Sequence, residues 1–381
     1  MKKLALASMV AAAAAVAAPA QAVTVMAEDG WTLGVSGQVN QFVVFTDNDA
    51  VGGEDIQEVR DGLLPAFINF DMKAPTMNGL DLAAHISFSP GTNQSSYDTF
   101  EQREVYFTVD GSFGQVLMGK ALGLYGSHNI LTEQTLWGVG YGTGGNGGTT
   151  LGGIGLGYDY AAWRSQVRWT SPDMNGFKVA VAVADGSDPA FRFGGNGGLP
   201  ISSLQTGASG ADKDDLRYEA DLSYAGAFDG GSYSAWLSGV TEDRDDLSED
   251  LQQWTVGGTL KVGGFEFMAQ YSDSEDGTLN LLADGITAGQ DIDGKLEWDQ
   301  YVVQAGYRFN GTTLVSANYS ELEDKSTYAT DGADESERVT LGIYHDVNSN
   351  LKLVAEYTKV ENDDEDLLDQ DIIAIGGFMF F

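Results

Sequence analysis

Apolar and polar residues alternate with a period of two in segment after segment, from Trp31 to the end of the chain. In the first segment Trp31, Leu33, Val35, Gly37, Val39, Val43 and Phe45 fall on one face, while Thr32, Gly34, Ser36, Gln38 and Asn40 fall on the other. Successive side chains of a strand point to opposite faces, so each such segment predicts a strand with one greasy and one wet side. The same pattern returns at 80–88, 177–183, 216–224, 254–262 and 301–309.

The connections alternate as well. Short, turn-rich stretches occur at 74–79, 110–114, 172–176, 226–231, 263–264, 310–312 and 346–350. Long polar ones occur at 46–62, 90–102, 121–160, 186–214, 241–251, 273–299, 321–337 and 361–370. Seven short turns and eight long loops separate sixteen strands, which predicts an all-β fold: a transmembrane, antiparallel, up-and-down β-barrel. In a soluble sandwich the wet faces would lie outside, leaving the Tyr and Trp near strand ends unexplained. In a closed barrel the greasy face meets lipid and every backbone group finds a partner.

The last ten residues, IIAIGGFMFF, contain no polar side chain. They are predicted to form the sixteenth strand and to pair with the strand beginning near Trp31, with Ile373, Ile375, Gly377, Met379 and Phe381 toward lipid. Phe378 and Phe380 then fall on the side that should be wet. The pattern offers no reason for them.

The first 22 residues have a different composition. Lys2 and Lys3 precede an apolar run that ends at Pro19, followed by Ala20-Gln21-Ala22. The run is too short to span a bilayer and reads as a cleaved export signal, leaving 23–381 as a single barrel domain. With 56 acidic against 20 basic residues the net charge is −36, which disfavours nucleic acid as a partner. The absence of cysteine rules out disulfides and thiol chemistry. Enzymatic readings fare poorly: His85, His128 and His345 show no metal-binding spacing, and no nucleophile motif is present. The run 142–147, GTGGNG, fits a dinucleotide fingerprint only formally, because no strand-to-helix context surrounds it.

Two stretches carry a family resemblance. REVYFTVDGSFGQVLMGK, 103–120, resembles the fourth and fifth strands of general Gram-negative porins, and WTSPDMNGFKV, 169–179, resembles that family's aromatic-x-Ser-Pro turn. The resemblance implies a homotrimer of sixteen-stranded outer-membrane barrels, each a water-filled pore with the long third loop folded inward. Here that loop is 121–160. A basic wall facing acidic loop residues is also implied, and by position Lys120, Arg164 and Arg168 are the candidates for the wall, with Glu133 as their acidic partner. The loop departs from the family in being rich in glycine and aromatics, with Tyr125, Trp137 and Tyr141 as candidate constriction residues. Phe67 stands where many members carry an arginine. A terminal Phe381 resembles the family's signal to the barrel-assembly machinery.

The expected function is passive diffusion of small hydrophilic solutes and ions. Acids cluster at 242–250, 273–276 and 361–371. They should concentrate cations at the mouth, which predicts modest cation selectivity. They also suggest Ca²⁺ or Mg²⁺ ligands that bridge the loops to anionic lipopolysaccharide, although no complete binding motif names individual ligands. No other cofactor is expected. The alternatives are a non-conducting adhesion scaffold and a substrate-specific channel, the latter expected to need eighteen strands.

Overall fold

The computed structural model describes residues 23–49, 55–91, 100–141, 152–186, 216–243, 250–275, 297–325, 335–363 and 369–381. The alternating segments pair as antiparallel ladders around a closed ring. The first nine strands are β1 (Val23–Glu28), β2 (Trp31–Asn48), β3 (Ile56–Arg60), β4 (Phe67–Lys73), β5 (Asp81–Pro90), β6 (Phe100–Gly111), β7 (Gly114–Leu122), β8 (Trp163–Thr170) and β9 (Phe177–Asp185). The others are β10 (Leu216–Phe228), β11 (Gly231–Glu242), β12 (Leu251–Val262), β13 (Phe265–Glu275), β14 (Glu297–Phe309), β15 (Thr313–Asp324), β16 (Glu335–Asn348), β17 (Leu351–Asn362) and β18 (Gln370–Phe380).

These strands make a barrel of sixteen staves with two extra strands. β3 and β4 are two pieces of one stave, since β3 pairs with residues 42–46 of β2 and β4 with residues 32–38. β18 closes the ring against β2, from Gln370 opposite Asn48 to Phe380 opposite Gln38. Phe381 then exchanges both backbone hydrogen bonds with Gly37, at 2.8 and 3.0 Å. β1 takes up the same edge of β2 immediately beyond, with Val23 opposite Val35.

The last strand pairs with the strand that begins at Trp31, as the alternation predicts. The segment 46–62 differs from expectation in not being a loop throughout, because it contains β3, and β1 adds a strand ahead of Trp31. All six β1 residues are exposed, so the strand has no buried face. It forms because β2 offers an unpaired edge below Phe381.

Turn chemistry sets the hairpins at one end. Asp29-Gly30 (φ 51° and 82°) and Asn310-Gly311 (φ 51° and 75°) hold left-handed conformations at both positions, which match the twist of tightly joined strands. The outer face is the greasy one: Val43, Phe45, Leu82, Val181, Leu341 and Ile375 are exposed, whereas Gln38, Asn40, Ser87, Thr255 and Thr340 face inward and are buried. Trp31, Tyr224, Tyr307 and Phe309 stand exposed near strand ends, the position of interfacial aromatic belts.

The core lies inside the barrel. Trp236, Met268, Trp298, Val302, Leu314, Leu322, Tyr344, Val354, Val360 and Ile372 form an inward apolar wall from β11 to β18. The third loop covers that wall with Ile130, Leu136, Val139, Tyr141, Ile154, Leu156 and Tyr158. Phe378 and Phe380 belong to this contact. Their rings lie 5.7 and 5.8 Å from Trp137 of the loop, so the side expected to be wet is dry where the loop docks. The leader, the run 142–147 and parts of the acidic loops lie outside the described residues.

Candidate functional site

The third loop leaves β7 and returns to β8 through a neck closed by Gly123 N–H donating to Ala162 O at 2.8 Å. Among its described residues it makes a short helix, α1 (Ser127–Thr132), then a 3-10 turn over Gln134–Trp137. Its backbone runs through a lumen, so donors without regular partners must find acceptors on the wall. Buried carboxylates anchor it, four of them through two or more hydrogen bonds each.

Glu219 on β10 accepts from Leu124 N at 2.6 Å and Tyr125 N at 3.1 Å. Arg217 Nε, at 2.6 Å, balances its charge. Glu356 on β17 accepts from Val139 N at 2.7 Å, Gly140 N at 3.1 Å and the Tyr344 hydroxyl. A Cβ at Gly138 would lie about 2 Å from that carboxylate, so only glycine lets the loop come this close.

The other two carboxylates belong to the loop. Asp159 accepts from Tyr125 Oη (3.0 Å), Ser274 Oγ (2.5 Å), Trp298 Nε1 (3.1 Å) and Gln300 Nε2 (2.9 Å). Burial pushes its carboxyl above the usual range, and the hydrogen bonds pull the other way without overcoming it. Burial, with the neighbouring Asp159 charge, likewise pushes the Tyr125 hydroxyl well up. Glu133 accepts from Thr135 N at 3.1 Å and Asn318 Nδ2 at 3.0 Å, and lies 3.4 Å from Arg338 Nη2.

The side chains that hydrogen-bond the loop inside the barrel lie mainly on β10 through β17, whereas a set of arginines stands on β3, β6 and β8. Arg60, Arg103 and Arg168 are buried and Arg164 is half-buried, all pointing inward. Arg103 lies between two rings, 5.8 Å from the centroid of Phe67 and 6.0 Å from that of Trp163. Such cation–π contacts hold a guanidinium in place without removing its charge. Nearby, His85 Nδ1 is 2.8 Å from Asp71 and its Nε2 is 3.4 Å from Glu104, with the ring stacked on Tyr106.

The structure brings Arg164 and Arg168 together on the inner wall. It does not bring Lys120 there. Lys120 pairs with Val105 and Ser165 in the same row as exposed Met118, on the outward face. A one-residue difference in parity moves a side chain across the sheet. Glu133 faces Arg338 of β16 and not the arginines of β8. Tyr125 and Tyr141 are buried against the wall, and Trp137 packs on Phe378, Phe380 and Lys352.

Sequence reasoning missed Arg60 and Arg103. Arg103 opens the 103–120 stretch that carries the family resemblance. Arg60 was hidden, because residues 61–66 interrupt the alternation of their stave and place Phe67, not the arginine, in the expected row. On the outward rim, carboxylate oxygens of Glu321, Glu335 and Glu337 lie within 4.8 Å of one another. Tyr319 Oη lies 2.6 Å from a carboxylate oxygen of each of Glu321 and Glu337, and its one proton can go to either.

The sequence profile of the family described as Gram-negative porin matches residues 5–365. No curated protein matches the chain. Among solved structures, the anion-selective porin from Comamonas acidovorans shares 16% identity at a TM-score of 0.66, over 92% of this chain and 100% of that one. The trimer form of OmpT from Vibrio cholerae shares 15% identity at a TM-score of 0.58, over 93% and 100%. OmpF of Salmonella typhi in complex with daunomycin shares 13% identity at a TM-score of 0.63, over 93% and 99%.

Proposed function

The chain belongs to the Gram-negative porin family, an outer-membrane channel by family and fold, and from that premise we propose passive diffusion of small hydrophilic solutes and ions through a water-filled homotrimeric pore with modest cation selectivity. The observation that carries this reading is the third loop fastened inside the barrel with an arginine wall on other staves. A loop lying across a lumen narrows it, and guanidinium groups on the uncovered staves would line what remains with positive charge. A barrel of sixteen staves is wide enough for an aqueous channel. The trimeric state is supported by the trimer form of the Vibrio cholerae neighbour.

The net charge of −36 supports cation preference, since an acidic mouth raises the local concentration of cations. A second reading, anion preference, is favoured by four inward arginines on β3, β6 and β8 and by the printed name of the Comamonas neighbour. Planar bilayers decide between them. Steady openings in triplets are expected, with a reversal potential of cationic sign in a salt gradient. The opposite sign would establish the anion reading, and silence would favour a surface-binding scaffold.

The rim supports a further element of the proposal, Ca²⁺ or Mg²⁺ linking acidic groups to lipopolysaccharide phosphates. Hard cations take several carboxylate oxygens, as Glu321, Glu335 and Glu337 could supply. Calorimetry should detect heat and a raised unfolding temperature in millimolar Ca²⁺, and neither would appear if the acids are only a solvated surface.

A further inference from the structure

Residues 61–66 sit between β3 and β4 and are all buried. On β2, Gln38 is opposite Phe67 and Phe42 is opposite Arg60. Three β2 residues, 39–41, therefore face six on the neighbouring stave, and the surplus must leave the plane of the sheet. An outward bulge would put unpaired peptide groups into lipid, so the surplus turns inward. Two inward side chains of β2 replace the lost ladder. Asn40 Nδ2 donates to Leu64 O at 2.6 Å and Asn40 Oδ1 accepts from Gly62 N at 2.8 Å, while Gln38 Nε2 donates to Pro65 O at 3.1 Å.

The inner edge of this segment meets the far end of the third loop. Leu63 N–H donates to Gly138 O at 2.9 Å, and Leu63 and Leu64 join the apolar cluster of Val139 and Tyr141. A Cβ at Gly62 would lie 2.5 Å from Gly138 O, and one at Gly152 would lie 2.5 Å from Leu63 Cδ2. The segment is flanked by Arg60 on one side and by Phe67, the ring under Arg103, on the other.

We infer that residues 61–66 are a latch that holds the far end of the third loop against the arginine-bearing part of the wall and so sets the width of the passage. The inference rests on the channel reading for its functional meaning. The loop is then tied at both ends, at its neck and at the second stave, and behaves as a fixed bridge.

The chain contains no cysteine, so an introduced pair can test this in the full-length barrel. A Cβ at position 152 would lie 3.5 Å from Leu63 Cγ, the place a sulfur on residue 63 would take, so a small shift closes a disulfide, and the strain of a side chain at the left-handed φ of 60° is common to the reduced and oxidised forms. Leu63→Cys with Gly152→Cys is expected to cross-link on oxidation, and the cross-linked trimer to conduct as the native barrel does. Failure to cross-link in the assembled trimer, or a conductance of the cross-linked form well away from the native one, would overturn the latch. The double variant Leu63→Ala, Leu64→Ala is expected to raise conductance roughly twofold, because passage through a narrow pore is governed by its width, and to admit larger neutral sugars in liposome swelling. An assembled variant with native conductance would also count against it. Silence of the native protein would sink the channel reading alone, since the cross-link still reports on the contact.

Discussion

Replacing Arg338 with methionine is expected to destabilise the barrel by about 3–5 kcal/mol, the cost of leaving one member of a buried charge pair without the other. Arg338 and Glu133 both have fully buried side chains, 3.4 Å apart. Arg338 also donates to Gly152 O and, at 2.7 Å, to Asn318 Oδ1. One guanidinium thus ties β16 to both arms of the third loop and to β15. Its removal leaves a carboxylate in a dry site and two acceptors without their donor. A double variant, Arg338→Met with Glu133→Gln, should recover a large part of the loss because no lone charge then remains. Urea midpoints in detergent measure both, and limited proteolysis should show the loop becoming cleavable in the single variant. A native midpoint for Arg338→Met would show that the pair is not needed to hold the loop.

Deleting Phe381 is expected to lower the amount of assembled trimer in the membrane far more than it changes the conductance of the trimers that form. Gly37 and Phe381 exchange both backbone hydrogen bonds at the seam, and a Cβ on Gly37 would lie 2.7 Å from the Phe381 ring. Without the residue, a peptide donor and acceptor on β2 lose their partners between the end of β18 and the start of β1. Closure is the step that removes strand edges, so the defect should appear during assembly. The inner loop and the arginine wall are not touched. Heat-modifiable migration on gels and single-channel recording separate the two quantities, and normal assembly of the truncated chain would exclude a closing role for the terminal residue.

The barrel was legible because lipid imposes one requirement on every stave. Each needs an apolar outer face, and the alternation from Trp31 onward records it. Arg164 and Arg168 followed from the same parity. Lys120, expected on the lumen side, lies on the other face because the register of β7 puts it in line with exposed Met118. The loop's docking wall was recorded in a subtler way. Val302, Leu314, Leu322, Val354, Val360, Ile372, Phe378 and Phe380 are apolar where their strands should be wet, and together they mark the staves that the loop covers. The anchors were not legible. Nothing near Glu219 or Glu356 in the sequence announces partners 94 to 217 residues away. Arg60 shows the limit of a period-two reading, because three surplus residues in one stave shift every later assignment on it.

The seam has a topological consequence. β18 runs down one edge of β2 to Phe381 opposite Gly37, and β1 continues in the same direction from Val23 opposite Val35. Only the position opposite Ser36 separates them. The end of the chain and the start of β1 therefore lie head to tail along a single rail, and the order of hydrogen-bonded neighbours is cyclic. A ring of this kind has no privileged opening. As far as the ladder is concerned, the polypeptide could be joined across that gap and begun instead at a tight turn such as Asp229-Gly230, with every pairing in the wall preserved.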